Sequence, residues 1–173
     1  EVSETTLAIT PETVADAITD ETALILAPHP IVNCCDILGI KRLAEEKGIP
    51  LLVDSVESVF ETSEHGRVGS MATVEVFSLH ASKLINGGEG GYITTSDEKF
   101  YEELKLKRAF GFKGPDNIVV VDGVNAKLCE VHAAMALANL DFLDDFVLHN
   151  QGIYRVYQQG IPKISGLRRG EVD

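Results

Sequence analysis

The 173-residue sequence predicts an α/β fold in which a mostly parallel sheet is wrapped by helices. Two observations predict it. Strand-like segments alternate along the chain with helix-like ones, and the strands read as continuous apolar runs, which is typical of strands covered on both faces. A chain of this length is expected to form one domain with one core. In such sheets ligands bind beyond the carboxyl ends of the strands, so the residues that end each apolar run are candidates for function.

Local signals predict each element in turn. Apolar runs predict four strands, at residues 23–27, 49–53, 73–77 and 91–95. Helical signals predict segments at residues 11–19, 36–47, 97–108 and about 127–159, the last with a break near residue 141. Thr10 before Pro11, and Ser96 before the third helix, are typical N-caps, while Gly48 is placed for a left-handed C-terminal cap. Residues 109–125, rich in glycine, are predicted to be irregular.

The composition of the chain limits the binding partners and the cellular compartment that are expected. The net charge of -12 disfavours a nucleic-acid backbone as partner. No apolar run approaches the roughly 20 residues that span a bilayer, and the acidic first residues do not resemble a secretion signal. Cys34, Cys35 and Cys129 form neither a disulfide framework nor a zinc-type pair, and we expect packing thiols rather than a redox-active Cys34–Cys35 pair. Cytoplasmic localisation is therefore expected.

Three groups with distinct chemistry lie at or after the strand ends. Asp54 ends the second apolar run, Ser78 follows the third, and Lys83 comes five residues later in a loop. A carboxylate, a hydroxyl and an amine are what pyridoxal 5'-phosphate (PLP) needs as a partner for its pyridine nitrogen, a phosphate ligand and an attachment point. Each residue also has a plainer interpretation: a loop acid or helix cap, a turn serine and a surface charge. From the residues alone both interpretations stay open.

The residues around Lys83 add little chemistry of their own. His80 is interpreted as structural support for the lysine loop, and its neighbours lack the spacing of metal ligands, so no metal site is predicted. The glycine-rich run 87–91 allows tight turns and close backbone approach, but it matches neither dinucleotide-binding nor P-loop motifs. Asn125, ahead of the last helical stretch, taken alone predicts an N-cap.

The order and spacing of Asp54, Glu57, Ser78 and Lys83 resemble the PLP-dependent nucleotide-sugar aminotransferase family, enzymes of the aspartate-aminotransferase fold, also called fold type I. The resemblance covers residues from about 7 to 167. It implies that Lys83 is catalytic and holds PLP covalently, that Asp54 binds the pyridine nitrogen and that Ser78 binds the phosphate. Glu57 falls near the phenolic oxygen of the cofactor, where the family usually carries Gln or His, and is a departure. Asn125 is implied to reach the phosphate in the neighbouring subunit of a homodimer.

The resemblance also implies an activity and a domain organisation. It implies transamination of a keto sugar, nucleotide-linked, with an amino acid donor such as glutamate. Related dehydratases carry histidine in place of this lysine, and cysteine desulfurases place the lysine directly after a histidine, so Lys83 favours transamination. Family members are considerably longer. Residues 1–173 are therefore expected to be the central and C-terminal part of a PLP-binding large domain, without the N-terminal segment and the C-terminal small domain. The alternative is a truncated, non-catalytic homologue that acts as a subunit or interaction module.

Overall fold

The structure, a computed structural model, describes residues 1–31, 34–63, 66–116 and 118–167. Helices and strands alternate in the first part of the chain as the sequence predicts, and several strands then follow one another before the next helix. In chain order the elements are α1 (Pro11–Ala17), β1 (Ile25–Pro28), α2 (Ile37–Lys47), β2 (Leu51–Asp54), β3 (Thr62–Ser63), β4 (Gly66–Arg67), β5 (Val74–Ser78), β6 (Gly91–Thr95), α3 (Glu98–Lys107), β7 (Phe112–Lys113), β8 (Ile118–Val119), α4 (Glu130–Leu140), α5 (Leu143–Gly160) and a short 3-10 helix (Ile161–Lys163).

The main sheet has four strands in the order β1-β2-β5-β6. The first three are parallel, and β6 is antiparallel to β5 at the edge. The predicted mostly parallel sheet is therefore confirmed. Asp54 pairs with Pro28 on one side and with Val76 on the other, so three carboxyl ends meet at one edge. Loops that leave this edge are the ones that can form a site.

One face of the sheet carries the core. The buried face presents Ile25 and Ala27 of β1, Val53 of β2 and Phe77 of β5. Helix α2 packs on this face with its apolar stripe, whose most buried members are Ile37, Ile40 and Ala44. Helix α1 lies against α2. The buried side chains are close-packed aliphatic ones, and this cluster is the main source of folding free energy in the described residues.

The opposite face of the sheet is open. Leu26 is 55% exposed and Ile93 is 47% exposed, and the strand-by-strand burial alternates. The prediction of strands covered on both faces is wrong for the described part of the chain. The physical reason is that α1 and α2 both pack on the other side, so the apolar residues on this face have no layer over them. Because side chains alternate along a strand, Asp54 and Ser78 lie on this open face.

Helix ends agree with the predictions at three positions and differ at two. Thr10 is the N-cap, as predicted, and forms a capping box with Thr13, while Gly48 ends α2 with a φ of 66°. The predicted break near residue 141 separates α4 from α5. The third helix is capped by Asp97 instead of Ser96, since the Asp97 carboxylate accepts from the Phe100 backbone N–H at 3.0 Å.

Asn125 is not a helix N-cap, contrary to the prediction. Helix α4 begins five residues later, with Cys129 at the cap position. The backbone on either side of Asn125 is bonded to the end of α3, with Val124 donating to the Lys107 carbonyl and Ala126 donating to the Arg108 carbonyl. These bonds keep the segment extended and delay the start of the helix.

The two C-terminal helices are mostly exposed. Ala136 is the buried residue of α4 and packs with Leu79 and Ile85, while α5 buries none of its residues. None of the helices in the described ranges is both long enough and apolar enough to cross a membrane. Helix α4 therefore serves mainly to cover the segment that contains Leu79 and Ile85, the two residues flanking the loop of Lys83.

A buried carboxylate interrupts the apolar run of β5. Glu75 is fully buried, and its two oxygens accept from Ser55 Oγ at 3.0 Å and from the backbone N–H groups of Gly69, Met71 and Ala72 at 2.8, 3.1 and 3.0 Å. Four donors compensate the cost of removing the carboxylate from water. The network connects the loop before β5 to Ser55, the residue that follows β2. It therefore fixes the backbone next to the carboxyl end of β2.

The substitution Glu75→Gln is expected to lower the free energy of unfolding by about 3 kcal/mol. The amide keeps the shape of the carboxylate but replaces one acceptor oxygen with an NH2 donor. This donor then faces donors that the carboxylate bound before, so buried N–H groups are left without an acceptor. Urea unfolding followed by circular dichroism measures the change. The control Glu103→Gln makes the same change in an exposed ion pair with Lys107 and should alter stability by less than about 1 kcal/mol. Equal losses in the two variants would contradict a structural role for the Glu75 network.

The three cysteines differ in reactivity. Burial raises the pKa of Cys34 to about 12, helped by the Glu61 carboxylate that accepts from its thiol at 3.2 Å. Burial also raises the pKa of Cys35 to about 11, and its thiol donates to the Pro28 carbonyl at 2.9 Å. Both thiols therefore stay protonated at neutral pH, as expected of packing thiols. Cys129 is exposed.

Thiol modification is expected to begin at Cys129. A disulfide reagent reacts with thiolates, and both raised pKa values keep Cys34 and Cys35 in the thiol form until the solution is strongly alkaline. In the native protein at neutral pH, peptide mapping should find Cys129 modified first, and Cys129→Ser should remove the fast phase. Fast modification of Cys34 or Cys35 in the native state would contradict this prediction, whereas unfolding in urea should make all three react alike.

Candidate functional site

Asp54 and Ser78 end two neighbouring parallel strands. One Asp54 carboxylate oxygen accepts from the Val56 backbone N–H at 3.1 Å, which holds the side chain at the end of β2. Ser78 Oγ accepts from the His80 backbone N–H at 3.1 Å, so its own hydrogen is left to donate to a ligand. Both side chains are half-buried. The structure thus places an acceptor and a donor at the same edge of the sheet, on its open face.

Lys83 forms an ion pair with Glu57. Its Nζ donates to Glu57 Oε1, and the Lys83 side chain is only 14% exposed against 35% for Glu57. Glu57 lies in the turn after β2, in which the Ser58 backbone N–H donates to the Ser55 carbonyl. The family resemblance implies that Glu57 lies near the phenolic oxygen of the cofactor. In the structure its carboxylate accepts a hydrogen bond from Lys83 Nζ. Asp54 and Glu57 both leave the end of β2, so two carboxylates stand on this side of the site.

The loop that carries Lys83 is closed by backbone hydrogen bonds. Leu79 donates to the Gly90 carbonyl at 2.9 Å, Ala81 donates to the Gly88 carbonyl at 3.0 Å, and Gly87 donates back to the Leu79 carbonyl at 2.9 Å. Inside this frame the Lys83 backbone N–H donates to the His80 carbonyl at 2.9 Å. The glycine-rich run therefore pairs with the residues before Lys83 and limits the freedom of the lysine backbone.

His80 supports the loop, as the sequence predicts. Its Nδ1 lies 2.9 Å from Ser82 Oγ and accepts from the Ser82 backbone N–H at 3.2 Å. Its Nε2 lies 3.9 Å from an oxygen of Glu89, and both side chains are largely exposed. Across the described residues, no group of three or more His, Cys, Asp or Glu side chains is arranged to hold a metal ion.

Two residues of α4 hold the lysine loop, and sequence reasoning missed both. Asn139 Nδ2 donates to the Asn86 carbonyl at 2.8 Å, and Asn86 Nδ2 in turn donates to the Lys83 carbonyl at 3.2 Å. His132 Nδ1 lies 3.1 Å from the Glu89 backbone nitrogen and 3.0 Å from its carbonyl oxygen, and its tautomer decides which of the two it bonds. The seven-residue spacing of His132 and Asn139 puts them on one helix face, which was the available signal.

Asn125 lies in the segment before α4. Its side chain is exposed, and its backbone forms a bridge with Ala109 beyond the end of α3. Among the described residues, the hydrogen bonds of Asp54, Ser78 and Lys83 do not involve Asn125. The other four predicted residues lie at, or in the turns just beyond, the carboxyl edge of the sheet.

The arrangement is thus a lysine loop closed by glycines beyond the carboxyl edge of a mostly parallel sheet, in an α/β domain. Comparison with known proteins gives the family. The chain belongs to the DegT/DnrJ/EryC1/StrS aminotransferase family, whose model matches residues 1–172.

Three similar proteins illustrate the match. The chain is 29% identical over 154 residues to a dTDP-4-amino-4,6-dideoxy-D-glucose transaminase of Shigella dysenteriae, covering 89% of the chain and 42% of that protein. Its fold superposes on the aminotransferase TlmJ from Streptoalloteichus hindustanus with a TM-score of 0.92 and 26% identity, over 99% of the chain and 47% of TlmJ. It superposes on DesI, solved with its TDP-sugar product, with a TM-score of 0.87 and 28% identity, over 96% of the chain and 42% of DesI. The chain spans less than half the length of these relatives.

Gly87→Ala is expected to destabilise the lysine loop by about 1–3 kcal/mol. A Cβ at Gly87 would lie 2.4 Å from the backbone carbonyl oxygen of His132, so loop and helix would have to separate. Chemical unfolding measures the loss. The control Gly152→Ala adds the same methyl group inside α5, where nothing lies within 4 Å, and should stabilise by about 0.5–1 kcal/mol. A neutral Gly87→Ala would mean that α4 does not hold the loop.

Proposed function

We propose that this chain holds the cofactor site of a PLP-dependent aminotransferase that acts on a keto sugar, nucleotide-linked, with an amino acid such as glutamate as amino donor. The observation that carries the proposal is the mostly buried Lys83, fixed in a closed loop at the strand ends beside Asp54 and Ser78, in a chain of an aminotransferase family. An amine, a carboxylate and a hydroxyl at one sheet edge suit that cofactor.

The residues present fit PLP in their chemistry. Asp54 is a half-buried carboxylate with one oxygen engaged by its own turn, and it would hold the pyridine nitrogen in the protonated form. The free hydrogen of Ser78 would be donated to the phosphate. Lys83 would hold the cofactor covalently through Nζ and then carry a proton to and from the substrate carbon. When bound, PLP supplies an electron sink that stabilises negative charge at that carbon.

The substrate class comes from the relatives. The Shigella protein is a transaminase of a dTDP-linked amino sugar, and DesI was solved with a TDP-sugar product. A nucleotide-linked keto sugar is the corresponding proposal here. Glutamate as donor is the proposal implied by the family resemblance.

The open sheet face supports a larger assembly. Leu26 and Ile93 are about half exposed there, and the chain covers less than half of its relatives. We propose that residues 1–173 form the central and C-terminal part of a large domain. An N-terminal segment and a small domain would then complete the substrate site.

The exposed position of Asn125 suits a role in the neighbouring site of a homodimer. There its side chain would reach the phosphate of the partner's cofactor, so each site would need two chains. The protonated thiols of the half-buried Cys34 and the buried Cys35 suit the cytoplasm.

Covalent trapping tests the proposed function. The protein is incubated with PLP, reduced with borohydride and mapped by peptide mass, and a pyridoxyl group is expected on Lys83. Lys83→Ala should lose the adduct, and Lys107→Ala, which removes an exposed lysine of α3, should keep it. Ser78→Ala should weaken binding about tenfold through the lost hydrogen bond to a charged group.

Two other outcomes of the trapping experiment separate the hypotheses. An adduct found only in a longer protein that contains these residues would support the division into a core and further segments. Absence of the adduct in both proteins would overturn the aminotransferase proposal and favour the non-catalytic interaction module.

A further inference from the structure

Lys83 is the least exposed of the ion-paired lysines in the described residues. Its side chain is 14% exposed, whereas the paired lysines Lys47, Lys105 and Lys107 are 48%, 45% and 41% exposed. Their pairs lie on helices and are freely solvated, and such pairs contribute little. The Lys83 pair joins the turn after β2 to the loop after β5, across 26 residues of sequence. It is therefore a contact of the site and distinct from the surface pairs.

The pairing has a chemical consequence. A nitrogen that attacks a carbonyl carbon needs a free lone pair, and an ammonium held by a carboxylate has none. Reaction requires that the ammonium release its proton to solvent. The lone pair then forms the C–N bond, and the carbonyl oxygen leaves as water. Nζ of Lys83 donates a hydrogen bond to the Glu57 carboxylate, and the reduced exposure of Lys83 weakens competition from water for this contact.

We propose that Glu57 is a positioning residue that holds Lys83 as a paired ammonium and keeps its nitrogen from reacting until a ligand displaces the carboxylate. The inference rests on the proposed function for the reaction that Lys83 performs. Glu57 is only 35% exposed, so its charge is partly shielded from solvent, yet it stays within reach of an incoming group. A lysine kept in this state is protected from adventitious aldehydes.

Competitive labelling of the whole chain without cofactor tests the role of Glu57. Trace acetic anhydride is added at mildly alkaline pH, and acetylation of each lysine is quantified by peptide mass spectrometry. Glu57→Gln, which keeps the size and removes the charge, should raise labelling of Lys83 about three- to tenfold. Glu57→Asp keeps the charge on a shorter side chain and should raise it less than Glu57→Gln. In the matched control Glu103→Gln, labelling of Lys83 should not change, and that of the exposed Lys107 should change less than twofold.

Two results would overturn the proposal. One is wild-type labelling of Lys83 in Glu57→Gln. The other is an equal increase in Glu57→Asp and Glu57→Gln, which would mean that any change at this position merely loosens the turn. The labelling uses no cofactor, so a failure to trap PLP on Lys83 both in this chain and in a longer protein would overturn the proposed function and leave the labelling result intact.

Discussion

The parallel pairing of β2 with β5 is the constraint on which the site depends. The register that sets Asp54 opposite Val76 brings two strand ends to one edge, and the turns that leave this edge carry Glu57 and Lys83. A shift of β5 by one residue relative to β2 would move Ser78 to the helix-covered face of the sheet, away from Asp54. The buried Glu75 helps to fix this register, because its four hydrogen bonds join β5 to Ser55 and to the preceding loop.

Much of the fold could be predicted from local chemistry. Caps such as Thr10 and Gly48 act within a few residues, and the apolar runs identify the strands wherever they are buried. The errors arise from tertiary contacts. Helix α4 starts late because the backbone beside Asn125 is bonded to the end of α3. Glu75 can be buried inside β5 because its hydrogen-bond partners come from outside the strand.

The site was predictable to the extent that motif spacing encodes it. The strand-end positions of Asp54 and Ser78 and the loop position of Lys83 follow from the strand signals, whereas their roles at a cofactor are implied by the family resemblance. The contact of Glu57 with Lys83 depends on how two turns face each other, and the hold of Asn139 on Asn86 depends on the docking of a helix. Local sequence does not specify either contact, although the spacing of His132 and Asn139 places both on one face of α4. The exposure of one face of the sheet could not be predicted either, because strands covered by one layer and strands covered by two can have the same apolar sequence.

The hydrogen bond from Asn139 to Asn86 spans 53 residues of sequence and has a consequence for biosynthesis. On the ribosome the loop of Lys83 emerges well before α4 does. Until the chain as far as Asn139 is free to fold, the loop lacks its helical brace, and Leu79 and Ile85 lack their apolar cover. Non-local contacts of this kind form late in folding. During that interval the nascent chain exposes a hydrophobic segment to which chaperones can bind.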